Sequence, residues 1–179
     1  VRVVLVEQQF DGLRVVPRLV ISFHERLFAA QRAGRRFEHL PRIVDCRRVG
    51  DELNVVMEYI EGETLGALVD RLGATPDYAR ELYPALCDAV GELHAGFAMV
   101  GETSAPVIHR DLKPSNIIVT GANYTPDDGL TFSSLVIIDL GIARVWRDGA
   151  DADTVKFGTR PYAPPEQYGF GQTSVRSDV

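Results

Sequence analysis

The beginning of the chain carries the alternation of apolar and polar residues that is typical of strands. Val3 to Glu7 and Leu13 to Ile21 lie on either side of Asp11-Gly12, a dipeptide common in tight turns, and this arrangement predicts a hairpin. From Ser22 to Phe37 apolar side chains recur every three or four residues, and Ser22 can act as an N-cap. We therefore predict one helix directly after the hairpin.

Further along the chain, short apolar runs alternate with longer segments of helical spacing. Strands are predicted at Ile43–Cys46, Leu53–Tyr59, Ile117–Thr120 and Leu135–Ile138. Two helices are predicted between Thr64 and His94, with a break near Thr75-Pro76. Because strands dominate the first part and helices follow, the order indicates an α+β fold with two sub-regions that meet near Tyr59 to Gly62.

The composition agrees with a single globular domain. The chain has 179 residues, of which 45% are hydrophobic and 25% charged. No apolar stretch approaches the ~18 residues that cross a membrane, so we expect a cytoplasmic protein whose membrane anchor, if it has one, lies outside this segment. Cys46 and Cys87 lie far apart without the spacing of metal ligands, and we expect buried free thiols.

The net charge of -6 conceals an excess of arginine in the first 50 residues, which contain ten arginines and five acidic residues. An arginine-rich segment is one way to bind nucleic acid. These arginines, however, are spread through predicted strands and a predicted helix without interleaved aromatic residues. We therefore expect a solvated basic face and no nucleic-acid partner.

Three motifs in the second half of the chain carry the chemical signal. The run from His109 to Asn116 reads H-R-D-L-K-P-S-N, and Asp139-Leu140-Gly141 follows after a strand, a loop and a strand. These two motifs resemble the catalytic loop and the metal-binding D-F-G of protein kinases, with Leu140 in place of the usual Phe. Phe157 to Glu166 resembles the end of a kinase activation segment, which small-molecule phosphotransferases lack.

The resemblance implies a protein-kinase-like, two-lobed α+β fold of the bacterial serine/threonine type, with an incomplete small β-rich lobe and a truncated helical large lobe. Residues 1–58 would form the small lobe without its glycine-rich loop, 59–62 the hinge, and 63–179 the large lobe through the activation segment. The polar stretch Gly121 to Ser134 is expected to be an expanded surface turn. Asp178 would brace the backbone of the catalytic loop.

The same resemblance assigns roles to individual residues. Asp111 would be the catalytic base and Lys113 would stabilise the transferred phosphoryl group. Asn116 and Asp139 would bind Mg²⁺, or Mn²⁺ in its place, together with ATP. The run Met57-Glu58-Tyr59-Ile60 resembles the hinge. Met57 would close the rear of the adenine pocket, while Glu58 and Ile60 would offer backbone groups to adenine.

Residues of the activation segment are assigned in the same way. Thr159 would contact the base and Lys113, which favours Ser or Thr acceptors in protein substrates or in the kinase itself. Thr154 is a candidate for activating phosphorylation, with Arg110 as the partner of the phosphate, or else an ordinary loop threonine. Glu166 is expected to lack its usual partner in this segment.

The chain departs from the family pattern in the small lobe. Aligning Val15 to Arg18 with V-A-I-K puts Arg18 where a lysine usually binds the nucleotide phosphates, although Arg18 could also point to solvent. The glutamate that normally pairs with that lysine is not evident: counting suggests Ala30 or Gln31, and the nearest acid upstream is Glu25. These departures favour a second hypothesis, a pseudokinase that binds nucleotides or partners without efficient transfer, and the segment alone is expected to be inactive.

Overall fold

The computed structural model describes residues 3–8, 23–50, 52–97, 103–146, 158–169 and 171–179, the first of these by backbone alone. The strands are β1 Val3–Gln8, β2 Ile43–Val49, β3 Glu52–Glu58, β4 Glu63–Thr64, β5 Val107–Ile108, β6 Ile117–Thr120, β7 Asn123–Thr125, β8 Gly129–Thr131, β9 Ser134–Ile137 and β10 Arg144–Val145. The α-helices are α1 Phe23–Arg32, α2 Leu65–Leu72 and α3 Pro76–Ala95. Short 3₁₀ turns cover Pro114–Asn116, Leu140–Ile142, Pro165–Tyr168 and Val175–Asp178.

An antiparallel sheet in the order β1-β3-β2 begins the fold. Its central strand is β3, in which Leu53 and Val55 are completely buried, as the apolar run predicted. The strand that pairs with β3 on the other side is Val3–Gln8. The second strand of the predicted hairpin, Leu13 to Ile21, lies outside the described residues, and so does Ser22.

Helix α1 ends at Arg32, five residues earlier than the apolar spacing predicted. The reason is Gly34, whose φ of +92° ends the helical geometry in the way glycine commonly does after a helix. The Gly34 and Arg35 amides close the end by donating to the carbonyls of Gln31 and Ala30. The apolar spacing at Gly34 therefore marked a helix terminus and not a further helical turn.

Helices α2 and α3 are separated where the sequence predicted. The hydroxyl of Thr64 caps α2 by accepting from the Ala67 amide, and the hydroxyl of Thr75 caps α3 by accepting from the Tyr78 amide. Pro76 occupies the first position of α3, where its lack of an N–H carries no penalty. Positive-φ glycines follow both helices.

The strands of the large lobe bring two distant stretches of chain together. A three-stranded sheet has the order β4-β6-β9, and β6 pairs antiparallel with β9, with Ile117 opposite Ile137. The predicted surface turn between these strands contains a separate hairpin, β7–β8. This hairpin contacts α3 through the rings of Tyr124 and Tyr78, whose centroids are 5.7 Å apart.

The segment before β2 ties the small sheet to the large lobe. The carboxylate of Glu92 in α3 accepts hydrogen bonds from the amides of Glu38 (2.9 Å) and His39 (2.7 Å). The carbonyl of His39 accepts from the amide of Ile137 in β9 at 2.9 Å. Aromatic packing of Phe97 against Phe23 of α1 and against Phe37 reinforces this connection.

The expectation for the cysteines is only half correct. Cys46 and Cys87 are both free thiols, but Cys46 is half-buried and Cys87 is exposed. Cys87 lies on the outer side of α3, which the apolar spacing of the helix did not distinguish from the inner side. In the described part of the chain, none of the helices has the length and apolar character needed to cross a membrane.

We predict that Gly96→Ala lowers the free energy of unfolding by about 2 kcal/mol or more. The residue has a φ of +62°, and a Cβ atom there would overlap the backbone carbonyl oxygen of Ala105. The matched control is Gly91→Ala within α3, where nothing lies within 4 Å of the added methyl, so stability should rise by about 0.5–1 kcal/mol. Denaturant unfolding of both variants checks the prediction, and equal stabilities would contradict it.

Candidate active site

The catalytic loop is held by a buried carboxylate from the end of the described chain. The Asp178 side chain accepts hydrogen bonds from the amide of His109 (2.7 Å to Oδ2) and from the amide of Arg110 (2.9 Å to Oδ1). A ring nitrogen of His94 in α3 lies 3.0 Å from Oδ2. Arg110 has a φ of +69°, a conformation that this clamp stabilises. The structure thus confirms that Asp178 braces the loop.

Three of the side chains singled out in the sequence meet directly. The ammonium group of Lys113 donates to Asp111 Oδ2 and to Thr159 Oγ1, both at 2.7 Å. The second carboxylate oxygen of Asp111, Oδ1, is buried and has no hydrogen-bond partner among the residues that the structure describes. Asp111 therefore has one oxygen fixed by a cation and one oxygen available to a ligand.

The environment of Asp111 keeps its carboxylate ionised. Burial by itself raises the pKa of Asp111, but hydrogen bonds from Lys113 and Thr159 and the charge of Lys113 outweigh it. The net pKa is therefore below the ordinary value of a carboxyl group. At neutral pH the group can accept a proton.

Asn116 lies directly beside Asp111 at the start of β6. Its side-chain NH₂ group donates to the backbone carbonyl of Asp111 (3.0 Å) and to Asp111 Oδ2 (3.3 Å). Because both contacts use the nitrogen of the amide, the side-chain orientation is fixed with the oxygen directed elsewhere. Only the hydroxyl of Ser115, at 3.5 Å, approaches that oxygen within the described residues.

The backbone before Asp139 is fastened to the catalytic loop at two points. The amide of Ile138 donates to the carbonyl of Asn116 at 2.9 Å, and the carbonyl of Ile138 accepts from His109 Nε2 at 3.0 Å. His109 Nδ1 in turn accepts from the amide of Asp111, so the ring is the tautomer with its proton on Nε2. Burial lowers the pKa of His109, which keeps the ring neutral.

Asp139 and the hinge share one cleft of about 300 Å³. Asp139 has a left-handed backbone, with φ 59° and ψ 58°, and Leu140 behind it is almost completely buried. The cleft is lined by His24, Pro41, Met57, Glu58, Tyr59, Ile60, Ile118, Ile138, Asp139, Leu140 and Gly141. The predicted hinge residues are therefore next to one of the two predicted metal ligands, while Asp111 and Asn116 lie outside this lining, beyond Ile138.

The side chain of Glu58 is engaged away from the cleft. Its carboxylate accepts from the amide of Arg42 at 2.8 Å and lies 3.6 Å from the Arg42 guanidinium. The Glu58 amide donates to the carbonyl of Arg42. The role of the Glu58 backbone carbonyl in binding a ligand stays a prediction.

Glu166, whose usual partner was expected to be missing from this segment, has a different partner. Its carboxylate accepts a hydrogen bond of 2.6 Å from the hydroxyl of Ser177, a residue close to the end of the chain. Next to it, the side-chain NH₂ group of Gln167 donates to the carbonyl of Arg110 at 2.6 Å. These contacts fix the end of the activation segment to the catalytic loop. Thr154 lies outside the described residues.

None of the three residues weighed for the place of the partner glutamate, Ala30, Gln31 and Glu25, lines the cleft. Gln31 donates to the carbonyl of Pro41 and accepts from the amide of Ile43, so it fastens α1 to the start of β2. Glu25 forms an ion pair with Arg48 at 3.0 Å. The α1 residue that does line the cleft is His24, which the sequence reasoning missed. The sequence feature that could have indicated His24 is its position next to Phe23, on the apolar face of the helix. Arg18 lies outside the described residues.

A loop carboxylate clamped by lysine, an asparagine beside it and an aspartate in a cleft next to the predicted hinge form the arrangement that is typical of protein kinase domains. The family model for the protein kinase domain matches residues 29–179, and the chain belongs to that family.

Curated relatives include several bacterial kinases. Serine/threonine-protein kinase A of Synechocystis is 27% identical over 165 residues, which cover 91% of this chain and 30% of that protein. Serine/threonine-protein kinase PknB of Mycobacterium tuberculosis is 33% identical over 129 residues, or 70% of this chain and 18% of that protein. PknD of the same species is 30% identical over 153 residues, or 84% of this chain and 20% of that protein. The chain spans less than a third of the length of these relatives.

We predict that Asp178→Asn destabilises the catalytic loop. An asparagine has one acceptor oxygen where the carboxylate has two, so the His109 and Arg110 amides cannot both keep their bonds. Stability should fall by about 1.5–3 kcal/mol, and these two amides should exchange hydrogen faster.

The matched control is Asp70→Asn on the exposed side of α2. It should change the free energy of unfolding by no more than about 0.5 kcal/mol. Unfolding curves and amide exchange measure both variants. Unchanged protection at His109 and Arg110 in Asp178→Asn would show that the clamp is not needed.

Proposed function

We propose that the protein containing this chain transfers the terminal phosphate of ATP to Ser or Thr hydroxyls of protein substrates. The observation that carries the proposal is the arrangement of Asp111, with one oxygen held by Lys113 and the other buried without a partner in the described structure. An ionised carboxylate with one open oxygen is what a general base needs to accept the proton of a substrate hydroxyl.

Lys113 and Thr159 complete the acceptor side of the proposal. Lys113 bridges the base and the activation segment, so its positive charge lies where negative charge develops during transfer. The hydrogen bond of Thr159 with Lys113 holds the activation segment close to Asp111. A substrate side chain that reaches Asp111 from this segment would therefore be a short one with a hydroxyl group. Aliphatic hydroxyls of Ser and Thr fit this arrangement.

Asn116 and Asp139 are the residues that would hold Mg²⁺, or Mn²⁺, with the nucleotide. The fit rests on the amide of Asn116, whose nitrogen is taken up by Asp111, and on the carboxylate of Asp139 in the cleft. Two protein oxygens are enough, because magnesium that is bound with a nucleotide takes its other ligands from phosphates and water. When bound, the metal neutralises phosphate charge and ATP supplies the phosphoryl group.

The adenine ring would lie against the hinge. Met57, Glu58 and Ile60 all line the cleft, and the backbone groups of Glu58 and Ile60 would bind the ring while Met57 would close the rear. Arg18 remains a prediction for the phosphate-binding cation, and Thr154 remains a prediction for activating phosphorylation. We propose a cytoplasmic catalytic segment that acts on other proteins or on itself, with no nucleic-acid partner.

The intact cluster of Asp111, Lys113 and Asn116 argues against the pseudokinase hypothesis. A domain that only binds has no need for a cation-clamped carboxylate with an open, buried oxygen, because a buried acceptor without a partner is costly. The departures in the small lobe concern nucleotide affinity and not this acceptor site.

We predict that Asp111→Asn in the full-length protein lowers Mg²⁺-dependent phosphate transfer by about 10²–10⁴-fold, because an amide cannot act as the base. Nucleotide affinity should change less than about threefold, since Asp111 does not line the nucleotide cleft. Transfer from labelled ATP to the protein itself and to a Ser/Thr peptide is measured.

The control for this variant is Asp77→Asn, which breaks the exposed ion pair with Arg80 and should leave the rate unchanged. Loss of transfer in the control, or full activity in Asp111→Asn, would refute the assignment. A wild-type protein that binds nucleotide but transfers no phosphate would favour the pseudokinase.

A second prediction concerns Thr159. Thr159→Ala removes the hydroxyl that Lys113 contacts and should lower kcat/KM for a Ser/Thr peptide by about tenfold or more. Thr159→Ser keeps the hydroxyl and should retain most of the activity. Equal losses in the two variants would mean that the methyl group, and not the hydroxyl, is what the site requires.

A further inference from the structure

His24 is a buried polar side chain in the nucleotide cleft for which neither the catalytic motifs nor the proposed reaction gives a role. It belongs to α1, is only 2% exposed, and lines the cleft together with Met57, Asp139 and Leu140. No hydrogen bond joins its ring nitrogens to another described residue, and neither nitrogen is among the fully buried side-chain atoms that lack a partner. A polar ring in the wall of the cleft therefore keeps its hydrogen-bonding atoms for a ligand in the cleft.

The surroundings of His24 define what it can contact. Phe23 packs edge-on against the ring at 6.0 Å between centroids, which closes one side. The charged groups nearby are Asp139, across the cleft, and Glu25, which is paired with Arg48. Burial lowers the pKa of His24 to about 4, against the opposing effect of these two carboxylates, so the ring is neutral.

A neutral imidazole offers one N–H donor and one acceptor. Helix α1 contacts the turn Leu140–Ile142 that follows Asp139, so His24 lies toward the end of the cleft where the phosphates of a nucleotide would lie if Asp139 holds the metal. Gln31 is not available at this place, because both polar atoms of its side-chain amide bond to the chain at Pro41 and Ile43.

We propose that His24 is a ligand-binding residue whose ring N–H donates a hydrogen bond to a phosphate oxygen of the bound nucleotide. The inference rests on the proposed function, since it takes the cleft to be a nucleotide site. It assigns to α1 a neutral donor at the place where the family resemblance led us to look for a glutamate.

The test compares nucleotide binding by the full-length protein and three variants, using MgADP and adenosine as probes. His24→Leu removes the donor at similar volume and should weaken MgADP by about tenfold or more, while adenosine, which has no phosphate, changes less than about twofold. His24→Gln keeps an N–H donor and should bind MgADP within about threefold of the wild type. Asp77→Asn, which changes an exposed residue of α3 that does not line the cleft, is the control and should bind both probes as the wild type does.

A second readout does not depend on substitutions. With histidine labelled by ¹⁵N, the ring-nitrogen resonances of wild-type His24 should shift on addition of MgADP and not on addition of adenosine. Equal weakening of both probes in His24→Leu, or a His24 resonance that responds equally to both, would overturn the phosphate contact. If the wild type binds neither probe, the nucleotide site itself is refuted, which is distinct from a wild type that binds MgADP with no change in His24→Leu.

Discussion

The structure depends on one buried carboxylate, that of Asp178, which receives the backbone amides of two successive residues in the catalytic loop. The loop has a left-handed residue, Arg110, in a place where a non-glycine residue is strained. Hydrogen bonds donated to a charged acceptor are among the strongest available, and here the side chain of the acceptor is fully buried. The position of Asp111 follows from this clamp, because it is the next residue along the chain.

A second residue, Ile138, connects the catalytic loop to the part of the site that contains Asp139. Ile138 is bonded through its amide to Asn116 and through its carbonyl to the ring of His109. A side chain that would accept a proton and a side chain that would hold a metal are thereby linked through neutral backbone groups. The neutral state of His109 matters here, since the ring must both accept from Asp111 and donate to Ile138.

The sequence predicted what is encoded locally. The strands β3, β6 and β9 and the break before Pro76 follow from short-range periodicity. The contact of Lys113 with Thr159, 46 residues away, was implied only by the family resemblance. The contacts that the sequence reasoning missed join distant residues.

Two residues illustrate these missed contacts. The Ser177 hydroxyl that satisfies Glu166 is a turn residue without any signal of its own, and His24 enters the cleft only because Phe97 and Phe23 fix the rotation of α1. Counting back from Leu40-Pro41 failed to find His24, because α1 ends at Arg32 and an irregular segment follows.

The hairpin β7–β8 separates in sequence two residues that the ladder of β6 and β9 joins in space. The ladder runs from Ile117 opposite Ile137 to Thr120 opposite Ser134, and the hairpin extends beyond this last pair. The pairing of β6 with β9, and not the hairpin, therefore sets the distance between Asn116 and Asp139. A change in the length of the hairpin would therefore not move Asn116 relative to Asp139. Evolution could lengthen, shorten or decorate the hairpin to recognise new partners, with the chemistry left as it was.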